Sequence, residues 1–285
     1  MKLPVFLALS LLSASLFAAS PVWRIDHGDK HLFLAGTIHV LRASDFPLPA
    51  ALDKAYARSQ ALVFETDIAE TQSPAFNQQL LQALTLPDGK TLDQVLSAST
   101  MKRLQQYARE NAFNLAALTH FKPSMIAMTL TLNELARLGV SETGVDAFYF
   151  SRARQDHKPT LGLETAQQQL QFLVDMGEGV EDEMILQTLD EIDSLHSEFP
   201  KMIEGWKRGD KAQMEKLFVQ PMRDQFDPVY QQLLVKRNQA WMPQIKVLLE
   251  TTDTEMVLVG SAHLLGPDGL LVQLEKAGYK ITQLD

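Results

Sequence analysis

The sequence of 285 residues contains no cysteine, and this absence removes several kinds of chemistry at once. Without thiols the chain forms no disulfide, carries no lipid-modified cysteine and has no thiol nucleophile. If the chain is secreted, packing alone must hold it together. The Gly-x-Ser-x-Gly motif of many serine hydrolases is also missing. We therefore expect neither a thiol enzyme nor a serine hydrolase of that type.

Positive charge is scarce as well. The chain has 26 Lys and Arg residues against 35 Asp and Glu residues, and its formal net charge is −9. Proteins that bind nucleic acid need a basic surface, so the charge balance disfavours a nucleic-acid partner. No basic amphipathic stretch predicts a membrane-surface helix. The acidic run at residues 178–198 is typical of a solvated helix face.

The N-terminus has the pattern of a secretory signal peptide. Lys2 is the only charged residue among the first twenty, and the apolar stretch Val5–Leu12 and several small residues follow it. The stretch is too short to serve as a mature membrane span. We predict a signal peptide over residues 1–18, cleaved near Ala18, and a bacterial periplasmic location. An uncleaved interfacial anchor is the alternative.

Two Gly-x-x-His motifs each follow a short apolar run. Gly36–His39 follows the run His31–Ala35, and Gly260–His263 follows Glu255–Val259. Both runs are predicted to be buried strands that break at a glycine and then present a histidine. A third copy, Gly28–His31, is better explained by a hairpin turn. A single histidine in such a position is more often a core or capping residue, whereas the matched pair favours one shared site as much as that local explanation.

Two further apolar runs end in Glu-Thr, at Glu65 and at Glu164. A charge at the end of a buried strand is costly unless it is paired, protonated or bound to a metal. The local alternative for the second copy is that Thr165 caps the following helix. Together with His39 and His263, the two glutamates form a plausible set of ligands for a divalent metal ion.

The pattern predicts an α/β fold with a central mixed sheet built from N- and C-terminal strands. A large helical lobe is predicted to be inserted at about residues 74–250, and residues 19–285 are expected to form a single domain. Between Asp182 and Trp206 apolar residues recur in steps of four and three, which predicts a packed helix that Pro200 bends or breaks. The predicted strands are Val22–Asp26, His31–Ala35, Ala61–Glu65, Pro159–Leu163, Met256–Val259 and Tyr279–Leu284.

Several segments together resemble the TraB/GumN family, which includes the animal Tiki proteins and is distantly similar to the ChaN-like and erythromycin-esterase-like folds. They are Leu34–Val40, Phe64–Thr66, Gly144–Asp146, Gly162–Thr165, Arg237–Asn238 and Val259–Leu264. The hallmark of the family is two Gly-x-x-His motifs and a glutamate, which fall on His39, His263 and Glu65. The resemblance implies a divalent-metal hydrolase, since Tiki proteins are manganese- or cobalt-dependent proteases.

We expect His39 and His263 to bind a divalent cation similar to manganese or cobalt. Glu65 would be the third ligand or the general base, and Glu164 would take the other of these two roles. A metal-bound water has a lowered pKa and supplies hydroxide as a nucleophile. The choice between the two glutamates stays open at this stage.

Three more residues match positions in the family. Arg237 would face the charge that develops on the scissile carbonyl oxygen, and Asn238 would contact the substrate or support a ligand. Asp146 would orient a metal-bound histidine, or it would simply favour a helix N-terminus through the helix dipole. Trp241 is expected to be a core residue.

The predicted function is that of a secreted metal-dependent hydrolase that cleaves peptide or amide bonds. The alternative is a non-catalytic periplasmic protein that binds a metal ion or haem through the same histidines. Two strand-end carboxylates favour hydrolysis, because a haem site has no need of them. A third alternative is that both histidines are structural.

Overall fold

A computed structural model describes residues 19–141 and 143–285. The predicted signal peptide, residues 1–18, lies outside the described residues. Among the helices of the described ranges, none is both long enough and apolar enough to cross a membrane.

Six of the eight strands described form one mixed sheet, in the order β6-β4-β7-β2-β1-β8, and β3 pairs with β5 in a separate short ladder. Strands β6, β4, β7 and β2 run parallel to one another, whereas β1 is antiparallel to both β2 and β8. The predicted mixed α/β fold is confirmed. The strands are β1 (Val22–His27), β2 (Lys30–Thr37), β3 (Leu41–Arg42), β4 (Ala61–Thr66), β5 (Val140–Ser141), β6 (Thr160–Glu164), β7 (Glu255–Gly260) and β8 (Lys280–Gln283).

The helices lie around this sheet and in a lobe beside it. They are α1 (Ala50–Arg58), α2 (Ile68–Thr71), α3 (Pro74–Ala83), α4 (Ala98–Glu110), α5 (Pro123–Arg137), α6 (Val145–Gln155), α7 (Ala166–Asp175), α8 (Glu181–Lys207), α9 (Lys211–Met214), α10 (Gln220–Gln225), α11 (Asp227–Tyr230), α12 (Lys236–Leu248), α13 (Ser261–Leu264) and α14 (Leu270–Lys276). A π-helical turn joins α9 to α10, and a second one joins α11 to α12.

The apolar side chains divide between two main cores. The larger core surrounds the sheet and includes every residue of β7 from Met256 to Val259. Central parallel strands are covered on both faces, which explains their uninterrupted apolar sequence. The second core lies between α4, α5 and α8, where Leu104, Ile126 and Ile185 are fully buried. The helical lobe thus has an apolar core of its own.

Strand β6 lies within the predicted insertion at residues 74–250 and yet belongs to the main sheet, where it pairs with β4. Helices of the lobe therefore occur on both sides of a sheet strand in the sequence. This arrangement is important for the site, because β6 carries Glu164 to the same sheet edge as the N- and C-terminal motifs.

Pro200 does not end its helix, since α8 runs unbroken for 27 residues. Of the predicted bend or break, the break is wrong, because buried residues anchor the helix on both sides of the proline. Phe199 and Trp206 are buried, and the Trp206 indole donates a hydrogen bond to the Gly36 carbonyl at 2.8 Å. Proline removes one backbone hydrogen bond, and tertiary packing on both sides offsets that loss.

The parallel strands bring the candidate residues to one edge of the sheet. Strands β2, β4, β6 and β7 run in the same direction, so their carboxyl ends lie side by side. Sites in α/β folds usually form at this edge, where strands pass into loops. Both Gly-x-x-His motifs and both Glu-Thr pairs lie there.

Candidate functional site

His39 follows β2 and is held by a residue from α6. Its Nδ1 donates to Asp146 Oδ2 at 2.9 Å, and its side chain is 64 % exposed. The backbone explains this contact: Val145 N donates to Ile38 O at 3.0 Å, which fixes the start of α6 against the motif. A Cβ on Gly144 would lie only 2.1 Å from the His39 carbonyl oxygen. Glycine is therefore required for the close approach that places Asp146 beside His39.

The Asp146 carboxylate changes the acid–base behaviour of His39. It raises the pKa of His39 to about 9, mainly through its negative charge. The carboxylate also fixes the ring orientation, because Nδ1 carries the shared proton. Nε2 is consequently left to face the site. Carboxylate–histidine pairs of this kind commonly support metal-ligating histidines.

His263 lies in α13 and is buried, with 4 % of its surface exposed. Its Nδ1 donates to Asn238 Oδ1 at 2.8 Å, and Asn238 Nδ2 in turn donates to the His263 carbonyl at 3.0 Å. Asn238 thus fixes the ring and its tautomer through two contacts. Burial lowers the pKa of His263 to about 3, so the imidazole is neutral near pH 7. Its Nε2 accepts a hydrogen bond from Arg237 Nη1 at 3.2 Å.

Glu65 lies in β4, which pairs with β7, the strand that precedes the second histidine motif. Its Oε1 accepts the Gly260 backbone N–H at 2.7 Å, and its Oε2 accepts Arg237 Nη2 at 2.6 Å. Oε1 is also 3.8 Å from His263 Nε2. Burial alone would raise the pKa of the Glu65 carboxyl. The surrounding groups, above all the Arg237 guanidinium, outweigh burial and hold this pKa well below its usual range. Glu65 is therefore a carboxylate at neutral pH.

Arg237, the second residue of α12, is buried and bridges both glutamates. Its Nη2 donates to Glu164 Oε1 at 2.5 Å and its Nε donates to Glu164 Oε2 at 3.1 Å, in addition to the contact with Glu65. Trp241, one helical turn later, donates its indole N–H to Glu164 Oε2 at 3.2 Å. Burial raises the pKa of Glu164, although the Arg237 hydrogen bonds oppose this shift. Within the described ranges no hydrogen bond joins Glu164 to either motif histidine.

The two histidines and Glu65 converge on Gly260. A Cβ built on this glycine would lie 3.2 Å from Glu65 Oε1, 3.4 Å from His39 Nε2 and 3.6 Å from His263 Cδ2. One point in space is thus within 3.6 Å of all three side chains. Because Gly260 has no side chain, these three groups can approach one another closely beside its backbone.

The donor types suit a divalent cation, although their present spacing does not form a closed ligand set. In residues 19–141 and 143–285 no group of three or more His, Asp or Glu side chains is close enough together to hold a metal ion. Arg237 accounts for part of this, because its guanidinium binds Glu65 Oε2 and faces His263 Nε2. A cation that used these atoms would have to take them over from Arg237.

The structure brings together every residue that the sequence analysis singled out. His39, Glu65, Arg237 and His263 lie in direct contact or share the Gly260 point, and three further candidates contact members of this group. These three are Asp146, Glu164 and Asn238.

Two contributions to the site were missed from sequence. Trp241 is buried as expected of a core residue, yet its ring is 4.4 Å from the His263 ring and its N–H binds Glu164. Its spacing of four residues from Arg237 and three from Asn238 places all of them on one helix face, which was the available signal. The Gly260 N–H, which binds Glu65, is a backbone group that no residue pattern identifies.

Two cavities lie near the carboxyl edge of the sheet. One, of ≈ 330 Å³, is lined in part by Glu164, Arg237 and Trp241 and so borders the candidate site. The other, of ≈ 630 Å³, lies between Trp23, Leu264 and the helices that follow, and its lining includes none of the candidate residues. Of these two cavities, the smaller one therefore borders the residues of the candidate site.

The comparisons with known proteins agree on one family. The TraB/PrgY/gumN family model matches residues 21–283. The chain is 25 % identical over 247 residues to the uncharacterized protein YbaP of Escherichia coli strain K12, covering 85 % of this chain and 87 % of that protein. Its similarity to YbaP of Shigella flexneri has the same identity and coverage, 25 % over 247 residues. No solved structure gives a significant match. A family model that spans the sheet, the helical lobe and all the site residues shows that this chain belongs to the TraB/PrgY/gumN family.

Proposed function

We propose that this protein is a divalent-metal-dependent hydrolase that cleaves peptide or amide bonds. One observation carries the proposal. His39, Glu65 and His263 surround a single point beside Gly260, and both histidines have Nδ1 held by a hydrogen-bond acceptor. With Nδ1 engaged in this way, each Nε2 is the ring atom left to bind an ion, once His39 has released its proton and Arg237 has given up its contact with His263.

His39 Nε2, His263 Nε2 and Glu65 would hold the cation, which we expect to be similar to manganese or cobalt. Imidazole nitrogen and carboxylate oxygen are suitable donors for such ions. When bound, the ion would lower the pKa of a coordinated water and polarise a carbonyl group. Because His263 is neutral and Glu65 is ionised near pH 7, both already have the protonation state that a ligand needs.

The two glutamates take different roles in this proposal. Glu65 contacts the Gly260 N–H and lies near both histidines, whereas Glu164 contacts Arg237 and Trp241. We therefore propose that Glu65 would be a ligand of the cation and would accept the proton of the coordinated water. Glu164 positions Arg237 through two parallel hydrogen bonds, a geometry that fixes the guanidinium plane.

Arg237 would give up Nη1 and one Nη2 contact when a cation binds, while Glu164 retains its hold through Nε and Nη2. The released N–H groups would then face the substrate, where they stabilise negative charge on a carbonyl oxygen. Asp146 and Asn238 keep the two imidazole rings in their orientations during the reaction.

We further propose that residues 1–18 direct the chain to a bacterial periplasm. A short apolar stretch after a single lysine, followed by small residues, supports export. The lack of cysteine is compatible with an oxidising compartment, because no thiol can be oxidised there. Peptides in that compartment would be the available substrates.

The proposal is tested by hydrolysis of a quenched-fluorescent peptide library by the chain that starts at residue 19. We expect cleavage with Mn²⁺ or Co²⁺, loss of cleavage with a chelator, and no cleavage by the His263→Ala variant. Wild-type protein that binds Mn²⁺ but cleaves no peptide would contradict hydrolysis and favour the metal-binding alternative. A strong visible absorption band of the purified protein would favour haem binding instead.

A further inference from the structure

The ≈ 330 Å³ cavity that borders the candidate site has a composition of its own. Its lining includes Glu164 and Arg237 at the boundary with the site, but neither motif histidine. The other lining residues belong to β6, α7 and α12. The cavity is within the range of volumes that hold a side chain or a small ligand.

Two aromatic rings form the apolar part of the lining. Phe172 and Trp241 lie 5.2 Å and 4.7 Å, measured to the ring centroids, from the guanidinium carbon of Arg237. Leu163 and Ala240 add further apolar surface. Such walls suit the aliphatic part of a long side chain or a flat cationic group.

The charge of the lining is negative. Two carboxylates, Glu164 and Asp175, stand against one guanidinium, that of Arg237. The positive charge of Arg237 is already engaged, since Glu164 and the buried Glu65 both bind it. Asp175 is different, because no lysine or arginine forms an ion pair with it in the described parts of the chain. The nearby Lys122 ammonium reaches the Val174 carbonyl at 3.4 Å and not the Asp175 carboxylate.

Several side-chain oxygens of the lining accept no hydrogen bond within the described parts of the chain. Asp175 Oδ1 accepts Gln171 Nε2 at 2.7 Å, and neither Asp175 Oδ2 nor the Gln171 side-chain oxygen has a donor there. Gln244 donates its Nε2 to the Leu163 carbonyl at 2.6 Å, so its side-chain oxygen is also available. A ligand rich in N–H donors would satisfy these oxygens, whereas a carboxylate would meet repulsion.

We propose that this cavity binds a basic side chain, lysine or arginine, of the peptide substrate, with Asp175 as the residue that determines this preference. The inference rests on the proposed function, because it supplies the substrate class for the same site. The aliphatic stem would lie against Phe172 and Trp241, and the cationic end would reach Asp175. The net charge of −9 for the whole chain would also attract basic peptides.

Binding is the decisive test, and it is measured without turnover. Metal-free wild-type protein is titrated with acetyl-Ala-Arg-Ala-amide and with the same peptide carrying citrulline, which keeps the shape of arginine but lacks its charge. We expect the arginine peptide to bind about fivefold more tightly. The difference should disappear in Asp175→Asn and persist in Asp175→Glu.

A matched control is Asp29→Asn, which removes one negative charge from the exposed β1–β2 turn. It should leave the preference for arginine unchanged. Equal affinity for the two peptides, or no binding of either at millimolar concentration, would overturn the inference. So would a preference that Asp175→Asn retains. Hydrolysis without arginine preference would contradict the assignment of this cavity alone, whereas arginine preference without hydrolysis would contradict only the proposed function.

Discussion

Replacement of Arg237 by methionine should destabilise the metal-free protein strongly and make it more responsive to divalent cations. Arg237 is 8 % exposed and holds two buried carboxylates, Glu65 at 2.6 Å and Glu164 at 2.5 Å. Methionine fills a similar space without charge or hydrogen bonds. Both carboxylates then lose their buried cationic partner.

The expected loss follows from the cost of an uncompensated buried charge. Removal of one partner from a buried ion pair costs about 3–5 kcal/mol in the free energy of unfolding. Arg237 serves two carboxylates, so we expect a value in the upper part of that range. In the wild type, the same carboxylates and His263 are engaged by Arg237, so the proposed cation would have to compete with it. The variant offers them without competition.

The pH dependence of the unfolding free energy should have opposite signs in the wild type and in Arg237→Met. In the wild type the pKa of Glu65 is held below its ordinary value, so its contribution to stability is present above about pH 4.3 and is lost as the pH falls further. In Arg237→Met the pKa of Glu164, which burial already raises, should rise further, because the hydrogen bonds from Arg237 no longer oppose burial. The stability of the variant should therefore increase as the pH falls from 7 to 5.

Urea unfolding in EDTA and in Mn²⁺, repeated over a range of pH, measures the loss of stability, its pH dependence and the stabilisation by the cation. We expect Mn²⁺ to raise the unfolding free energy of Arg237→Met by more than that of the wild type, since the stabilisation increases with the ratio of ion concentration to Kd. Arg208→Met is the matched control, because Arg208 pairs with Glu204 on the surface at 2.7 Å with both side chains more than half exposed. Equal losses in the two variants, or equal stabilisation of Arg237→Met and wild type by Mn²⁺, would refute the reasoning.

Three further predictions concern the groups around the histidines. Asp146→Asn should bring the pKa of His39 from about 9 toward its ordinary value of 6.5, as followed by NMR titration in EDTA; an unchanged value would contradict the role of Asp146. Because the pKa of His39 is raised, the stabilising contribution of the His39–Asp146 pair is complete below pH 6.5 and is lost as the pH rises through about 9. The difference in urea midpoint between wild type and Asp146→Asn should therefore narrow between pH 6.5 and about 9. Gly260→Ala should fold, because the backbone of Gly260 at φ −50° suits alanine. It should lower the affinity for Mn²⁺ at least about tenfold, because the new Cβ lies 3.4 Å from His39 Nε2. Undiminished affinity in calorimetry would place the ion elsewhere. Trp241→Phe removes the indole N–H that binds Glu164 at 3.2 Å and should cost about 2–3 kcal/mol in urea unfolding, whereas a loss below that of a surface substitution would refute the contact.

Most of the sheet and the site edge could be predicted from the sequence, because both depend on local patterns. Apolar runs that end in glycine or glutamate identify buried strands and the residues that follow them. Parallel strands then bring such residues to a common edge, whatever their distance in sequence. This reasoning is sufficient to group His39, Glu65, Glu164 and His263 without any knowledge of contacts.

The pairing of Arg237 could not be predicted in the same way. Arg237 lies 73 residues from Glu164 and 172 from Glu65, and no periodicity connects them. The contact depends on how α12 packs across the ends of β4 and β6, which is a tertiary property. For the same reason the sequence left the roles of the two glutamates open. In the structure the two glutamates differ in their neighbours, since Glu65 contacts the Gly260 N–H and Glu164 contacts Trp241.

Asp146 shows how two explanations of one residue can both hold. The sequence offered a helix N-terminal carboxylate or a partner for a ligating histidine. In the structure Asp146 lies in the first turn of α6 and also accepts the His39 hydrogen bond at 2.9 Å. The contact with His39 could not be predicted from sequence, because it depends on the position of Gly144 against the His39 backbone, which only the folded chain provides.

The most direct test of the central claim is Mn²⁺ binding by isothermal titration calorimetry. The protein that starts at residue 19 is first stripped with EDTA and then compared with folded His39→Ala and His263→Ala variants. We expect one Mn²⁺ to bind per chain in the parent and both variants to lose that site. No binding by the parent, or binding that both variants retain, would contradict a shared metal site at these two motifs.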